Sequence, residues 1–328
     1  MPAKKSTMLY RPFLREAWRL TWERKSLWIF GIFAALVSTG GVVDVVWRTL
    51  ARVERTQSLL ESLADTSFIG YRLASSYIGQ LAQLGPERVS FIITTTTLLG
   101  LALIIMAILS QGALVLGLSA KTPKDPYELR GGATQHFWSL FVIGLLNLVL
   151  MLLLTTLMTL PLLLLSVSTA MGYVAMFTGL MCLFIPATIS IHIVYLFALI
   201  DVVETGAHPL SAIHTGLQLF ARQWLATLEY GVILFLLVFG AGLVLTIFII
   251  LLLVPLSAIY AAILLTGSYS FFLTFNIISA LLILATLLAF AGAAVTFQYS
   301  AWYHFYKQGL HRVHGKKIFS KILRLAYR

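Results

Sequence analysis

Residues 230–306 read YGVILFLLVFGAGLVLTIFIILLLVPLSAIYAAILLTGSYSFFLTFNIISALLILATLLAFAGAAVTFQYSAWYHFY, and between Glu229 and Lys307 there are 77 residues without Asp, Glu, Lys or Arg. A bilayer core of about 30 Å is crossed by roughly 20 apolar residues in helix. An ionised side chain at its centre costs about 2.5–3.5 kcal/mol on insertion scales. A run of this length therefore predicts two spans and a turn. The turn falls at 266–270 (TGSYS), small and polar and downstream of Pro255; helices end near such punctuation.

Three further gaps between charges follow the same logic. Arg130 to Asp201 encloses 70 uncharged residues, again two spans, with a turn at 166–172 (SVSTAMG) after Pro161. Arg88 to Lys121 encloses 32 and Lys25 to Asp44 encloses 18, one span each. The expected spans are 27–47, 91–118, 137–165, 173–200, 230–255 and 271–301. Segment 256–266 is left over, as an extension of the fifth helix or an interfacial piece.

The expected fold is all-α, an integral membrane bundle of six transmembrane helices in three hairpins with amphipathic interfacial helices. A basic cytoplasmic lead-in occupies 1–26, the membrane domain 27–301 with an external helical segment at 48–90, and a basic cytoplasmic tail 302–328. The first apolar run starts too far into the chain for a cleaved signal, and no A-x-A-like site follows it. Segment 48–90 carries Leu50, Val53, Leu60 and Leu63 at helical spacing. It is too short for a catalytic domain and reads as a structural cap, with a substrate lid as the alternative.

Composition agrees with residence in lipid. Of 328 residues 59% are hydrophobic and 11% charged, with mean hydropathy +0.93. Soluble domains run at about 45–50% apolar and about 25% charged. A soluble enzyme and a disordered chain are both excluded. The net charge of +11 points to anionic membrane lipids rather than nucleic acid, because the cations flank spans. The N-terminal tail, the 119–136 and 201–224 loops and the C-terminal tail hold 18 of the 23 Lys and Arg. The positive-inside rule then places both termini in the cytoplasm of a multi-pass protein of the cell membrane. The single cysteine, Cys182, excludes an internal disulfide and reads as a small buried hydrophobe.

Each hairpin has an aromatic, amphipathic lead-in, at 13–28, 129–138 and 209–224, which suggests a threefold repeat; the alternative is that any membrane hairpin begins with interfacial Trp and a basic residue. On the first, Leu9, Phe13 and Leu20 share one helical face, and Arg11, Arg15 and Arg19 the other, with Trp18 and Trp22 among them. Arg beside Trp next to a span describes a helix in the headgroup layer. The tail repeats the pattern with Lys317, Lys321, Arg324 and Arg328 beside Ile318, Ile322 and Leu325. These seven cations are the candidate lipid-headgroup contacts. Anchoring and orientation is the plainer role for them, a lipid sensor or partner-docking helix the sharper one.

Polar residues inside spans are functional candidates by default, and Asn147, His192 and Asn276 are the ones here, with Gln111 and Gln298 nearer the ends. Each has a plainer account as interhelical hydrogen-bond glue. No acid lies mid-span. His304, His311 and His314 lack the Cys or carboxylate neighbours that a zinc site needs, so no metal and no cofactor is expected. No nucleophile–base pair, phosphate-cradling loop or H-E-x-x-H helix is present, and no catalytic residue is expected. Ala285, Ala289 and Ala293, and Ala113 with Gly117, form small-residue ladders suited to close helix packing or a homo-oligomer contact.

Segments 110–117 (SQGALVLG), 132–138 (GATQHFW) and 199–224 (LIDVVETGAHPLSAIHTGLQLFARQW) resemble a broad group of uncharacterised bacterial membrane proteins. That group includes the membrane domain attached to some glycerophosphodiester phosphodiesterases. The resemblance covers about half the chain and implies a six-helix membrane domain without known catalytic residues. In fused members the catalytic barrel follows the membrane part. This chain ends soon after the sixth expected span, so that activity is not expected of it. The first functional reading is a non-enzymatic scaffold, accessory or membrane-organising protein with its cytoplasmic helices at anionic lipid and a protein partner or a second copy beside it. The second is a transporter or channel for a lipid or small solute, motivated by the hairpins with Pro161, Pro186 and Pro255.

Overall fold

The computed structural model describes residues 10–38, 85–164, 170–266 and 268–310. The described residues form nine α-helices and a π-helical turn, and no strand occurs among them. In chain order they are α1 (Arg11–Glu23), α2 (Leu27–Ser38), α3 (Pro86–Ser119), α4 (Pro126–Gln135), α5 (Phe137–Leu164), α6 (Ala170–Thr205), α7 (Pro209–Arg222), α8 (Trp224–Thr266) and α9 (Tyr269–His304), followed by the turn Phe305–Leu310.

Five helices are long and apolar enough to cross a membrane, over Pro86–Ser119, Phe137–Met158, Val174–Thr205, Trp224–Leu265 and Tyr269–Lys307. On length and composition the chain is a multi-pass membrane protein. The first expected span begins as α2, and its remainder lies outside the described residues, as do 48–84 of the external segment and the basic tail from 311. Residues 86–90 of that segment form the first turn of α3.

Several boundaries differ from expectation by three or more residues. Helix α8 does not stop at Pro255 but runs to Thr266, so 256–266 extends the fifth helix. Likewise α6 passes through Pro186. Proline removes one ladder hydrogen bond, yet within a membrane the freed carbonyl is satisfied locally and the helix has no water to turn towards. The expected boundary at 301 also moves, because Trp302, Tyr303, His304, Phe305 and Tyr306 are all buried in the core.

The three short helices are amphipathic lead-ins, as the sequence pattern predicts. Each starts with proline at its first or second position, Pro12, Pro126 and Pro209, where the missing N–H costs nothing and φ is already helical. The second therefore begins at Pro126, three residues earlier than the pattern suggested. Each lead-in is separated from the next long helix by one to three residues, and Trp28, Trp138 or Trp224 opens that helix. Gly206, at φ 69°, reverses the chain after α6, and its N–H bonds to Val202 O at 2.9 Å.

Packing follows a circular order. Helices α2, α5 and α8 pack on α3, α6 and α9 respectively. The lead-ins pack on the helix that closes the preceding pair: α4 on α3, α7 on α6, and α1 on α9. That last contact, together with α2 on α9, brings the beginning of the described chain onto its end. Small residues permit the closest approaches. Gly31 of α2 meets Gly292 of α9 backbone to backbone, and Gly117 of α3 meets Leu27.

Burial is concentrated at the end that carries the lead-ins, over 107–118, 193–203 and 292–306. Towards the opposite end α3, α5, α8 and α9 present most of their apolar side chains outward. A 43-residue helix such as α8 is about 64 Å long at 1.5 Å per residue, about twice a hydrocarbon core. Cys182 is among the outward side chains, not the buried hydrophobe expected. Ala285 and Ala289 also face outward, while Ala113 is fully buried.

Candidate functional site

The lead-ins form a collar around the packed end. On α1 the chain alternates at helical period: Ala17, Leu20 and Thr21 are buried against the bundle, while Arg11, Arg15, Trp18, Arg19 and Trp22 are exposed. Trp18, Trp22 and Trp28 form a ladder of edge-on rings with centroids 5.6 and 5.2 Å apart. Arg19 is drawn into ion pairs with Glu16 and, at 3.6 Å, with Glu23. That leaves Arg11 and Arg15 as the exposed cations of this face whose charge is best placed for an outside anion. Trp138 and Trp224 are exposed at the starts of α5 and α8. Lys317, Lys321, Arg324 and Arg328 lie outside the described residues.

Beneath the collar, charge and aromatic rings bind the elements together. Arg24, in the turn after α1, donates to Gly117 O and to Ala120 O, the latter at 2.9 Å. These carbonyls lack helical partners at the C-terminus of α3, and the cation also meets the negative end of the helix dipole. Tyr10 donates to Glu229 Oε2 at 3.0 Å. Tyr230 stacks on Phe305 at 4.4 Å with 10° between planes, and its hydroxyl donates to Ala301 O at 3.0 Å. Phe13 and Trp302 meet Tyr230 edge-on.

The C-terminal end of α6 is tied to the π-helical turn by acids. Tyr306 donates to Asp201 Oδ1 at 2.9 Å, and Tyr303 to Glu204 Oε1 at 2.7 Å. Lys307 Nζ donates to Tyr303 Oη at 2.6 Å and lies 3.0 Å from Glu204 Oε2. Sequence reading marked Asp201 only as the end of an uncharged run. Its partner is 105 residues away, and no local pattern announces it.

The intramembrane candidates are not gathered into one place. Asn276 is exposed and its Nδ2 donates to Phe272 O at 2.8 Å on its own helix, so it is not interhelical glue. A carbonyl one turn back is always within reach and requires no approach of another helix. Asn147 Oδ1 is buried without a hydrogen-bond partner. His192 is half-buried, with its ring 6.0 Å from that of Tyr195, one turn on in α6. Tyr195 in turn donates to Gln111 Oε1 of α3 at 2.6 Å. Gln111 and Tyr195 are the residues that the search for mid-span polar groups underrated. One sits near the end of its expected span, and tyrosine was not counted among the intramembrane polar groups.

Among the described residues no group of three or more His, Cys, Asp and Glu could hold a metal ion; His311 and His314 lie outside them. No protein family, no curated protein and no solved structure matches this chain.

Proposed function

We propose that the protein is a non-catalytic, six-span membrane protein, a ring of three helical hairpins. Its collar lies at the cytoplasmic face of the cell membrane against anionic lipid, where it organises or scaffolds the membrane or a partner. The circular packing of lead-ins supports the ring, with 27–47 as the sixth span. The observation that carries the lipid contact is the outer face of α1, where Arg11 and Arg15 stand exposed beside Trp18 and Trp22 while the inner face is buried on α9. Indole rings settle at the headgroup level, and each nearby cation adds about 1 kcal/mol of attraction to an anionic leaflet. Membership of the resembled phosphodiesterase-linked membrane group is part of this proposal, without the phosphodiesterase.

The test is lipid selection by the intact chain. Wild type and Arg11→Gln/Arg15→Gln are reconstituted in mixed phosphatidylcholine and phosphatidylglycerol. Spin-labelled lipid then measures the composition of the shell. Wild type should enrich phosphatidylglycerol and the double variant should lose much of that enrichment. Equal shells in the two proteins would remove the lipid-contact reading. The transporter reading draws its support from one observation, the buried polar contact between α3 and α6.

A further inference from the structure

Asn276 is a polar side chain that α9 turns away from the described parts of its own chain. From Tyr269 to Ala291 no residue of α9 is buried. The half-buried ones, Phe272, Phe275, Ser279, Ile283, Thr286 and Phe290, recur every three or four residues and so form one stripe. That stripe faces α8, whose Tyr260 meets Phe272 with ring centroids 5.6 Å apart. Helix α2 meets α9 at Gly292 and Thr296. At about 100° per residue these stand on the far side of the helix from Asn276, which is itself exposed. Its Nδ2 donates to Phe272 O at 2.8 Å. One N–H and the Oδ1 are then left over, a donor and an acceptor, and neither is bonded among the described residues. Exposed apolar side chains flank the amide along the helix, Phe271 and Leu273 towards the hairpin tip, Leu284 and Leu287 towards the packed end.

Hydrocarbon supplies no partner for such a group, and asparagine within a span hydrogen-bonds across to another helix. The helix that fits belongs to a second copy. Copies inserted in one membrane share one orientation, so a two-fold axis between them runs along the membrane normal. Helix α9 then meets α9 of the partner in parallel, and each residue meets its own counterpart at the same depth. A leftover set of one donor and one acceptor is complementary to itself in that arrangement. The surroundings agree. Leu273, Asn276, Ala280, Ile283 and Leu287 alternate at spacings of three and four, the seam of a parallel left-handed helix pair. All but the half-buried Ile283 are exposed. A single asparagine in such a seam sets register and strand number, and the small Ala280 one turn on lets the backbones approach. We propose that α9 carries a homodimer contact in which Asn276 exchanges a pair of hydrogen bonds with Asn276 of the partner subunit. The contact uses none of the collar residues, so it stands or falls separately from the lipid reading.

The experiment uses the full chain in phosphatidylcholine vesicles, without anionic lipid. A dye on Lys124→Cys in the Cys182→Ala background reports oligomeric state by single-molecule photobleaching over a range of protein-to-lipid ratios. Dimers should appear as the ratio rises. Asn276→Leu should move the midpoint about tenfold towards higher protein density, the loss of two hydrogen bonds of average intramembrane strength. The second measurement leaves Asn276 in place. Ala280→Cys lies in the seam and Leu282→Cys on the other side of the helix, and both positions are exposed. Each is made singly in the Cys182→Ala background and oxidised in the vesicle with copper phenanthroline. Ala280→Cys should cross-link to its own copy and Leu282→Cys should not. Monomers at every ratio, the result that a contact with a different protein would give, overturn the proposal. So does an unshifted midpoint in Asn276→Leu, or cross-linking of Leu282→Cys equal to that of Ala280→Cys.

Discussion

Replacing Gly292 by alanine tests the closure of the bundle more directly than any polar substitution. A Cβ there would lie 2.6 Å from Trp28 O, 3.1 Å from Ile32 Cγ1 and 3.2 Å from Trp28 Cβ. At Gly31 the new Cβ would lie 2.3 Å from Gly292 O and 2.7 Å from Thr296 Oγ1. The nearest obstacle is backbone in both cases, so no side-chain rotation relieves it and α2 must move away from α9. Overpacking of this kind costs about 1–3 kcal/mol. A retreat of 0.5–1 Å also forfeits about a quarter to a half of each dispersion contact along the seam. The bond from Thr296 Oγ1 to Leu27 O, already 3.3 Å long, is lost with it, at about 0.6 kcal/mol for an average intramembrane hydrogen bond. The expected total for Gly292→Ala or Gly31→Ala is about 2–4 kcal/mol. Alanine is the better helix former by about 1 kcal/mol, so the controls have the opposite sign. Gly240 and Gly242 have nothing within 4 Å of their would-be Cβ, and their alanine variants should be neutral or more stable. The assay is thermal unfolding in nanodiscs followed by tryptophan fluorescence, since Trp28 stands at the contact. The pair should also be non-additive, because Gly31→Ala/Gly292→Ala opens one seam rather than two. If Gly292→Ala melts with Gly240→Ala, α2 and α9 do not cross this closely and the ring reading loses its closing contact.

Two further expectations concern the collar and the topology. Arg24→Gln removes a charged donor from the last carbonyls of α3, and hydrogen bonds to charged groups are worth about 1.5–3 kcal/mol; hydrogen exchange should speed up selectively over 115–120, and unchanged protection there would show that the cap is idle. In a Cys182→Ala background, Glu87→Cys and Lys124→Cys stand at opposite ends of α3 and both positions are exposed, so an impermeant maleimide should reach Glu87→Cys from outside and Lys124→Cys only after permeabilisation; labelling of both from one side contradicts a spanning α3.

Span placement was legible because it follows from a transfer cost borne residue by residue. The uncharged runs locate α3, α5, α6, α8 and α9 to within a few residues at most of their ends. The two readings left open for 256–266, extension or interfacial piece, have a definite origin. Proline ends helices in water because the freed carbonyl can turn to solvent, and inside a membrane that outlet is missing. The lead-ins were legible too, because water on one side and protein or lipid on the other imposes a period on Phe13, Arg15, Ala17 and Leu20. The long helices have no such period. Lipid tails and a protein core are equally apolar, so nothing in the sequence of α9 tells that Val295 is buried and Leu288 is not. Asn276 illustrates the consequence: a polar residue in mid-span was a sound candidate for an interhelical contact, and it faces outward.

The amino-acid order alone, through the cost of placing charge in hydrocarbon, determined that this chain is a multi-pass membrane protein, roughly where its long apolar helices lie and which short helices are amphipathic. Only the packed bundle decided which polar groups meet. Gln111 and Tyr195 come from helices far apart in the chain, and their encounter depends on how two rods are rotated about their own axes. Uniformly greasy surfaces do not encode that rotation one helix at a time; it is settled where Gly31 and Gly292 let two backbones touch and where Arg24 closes the end of a third.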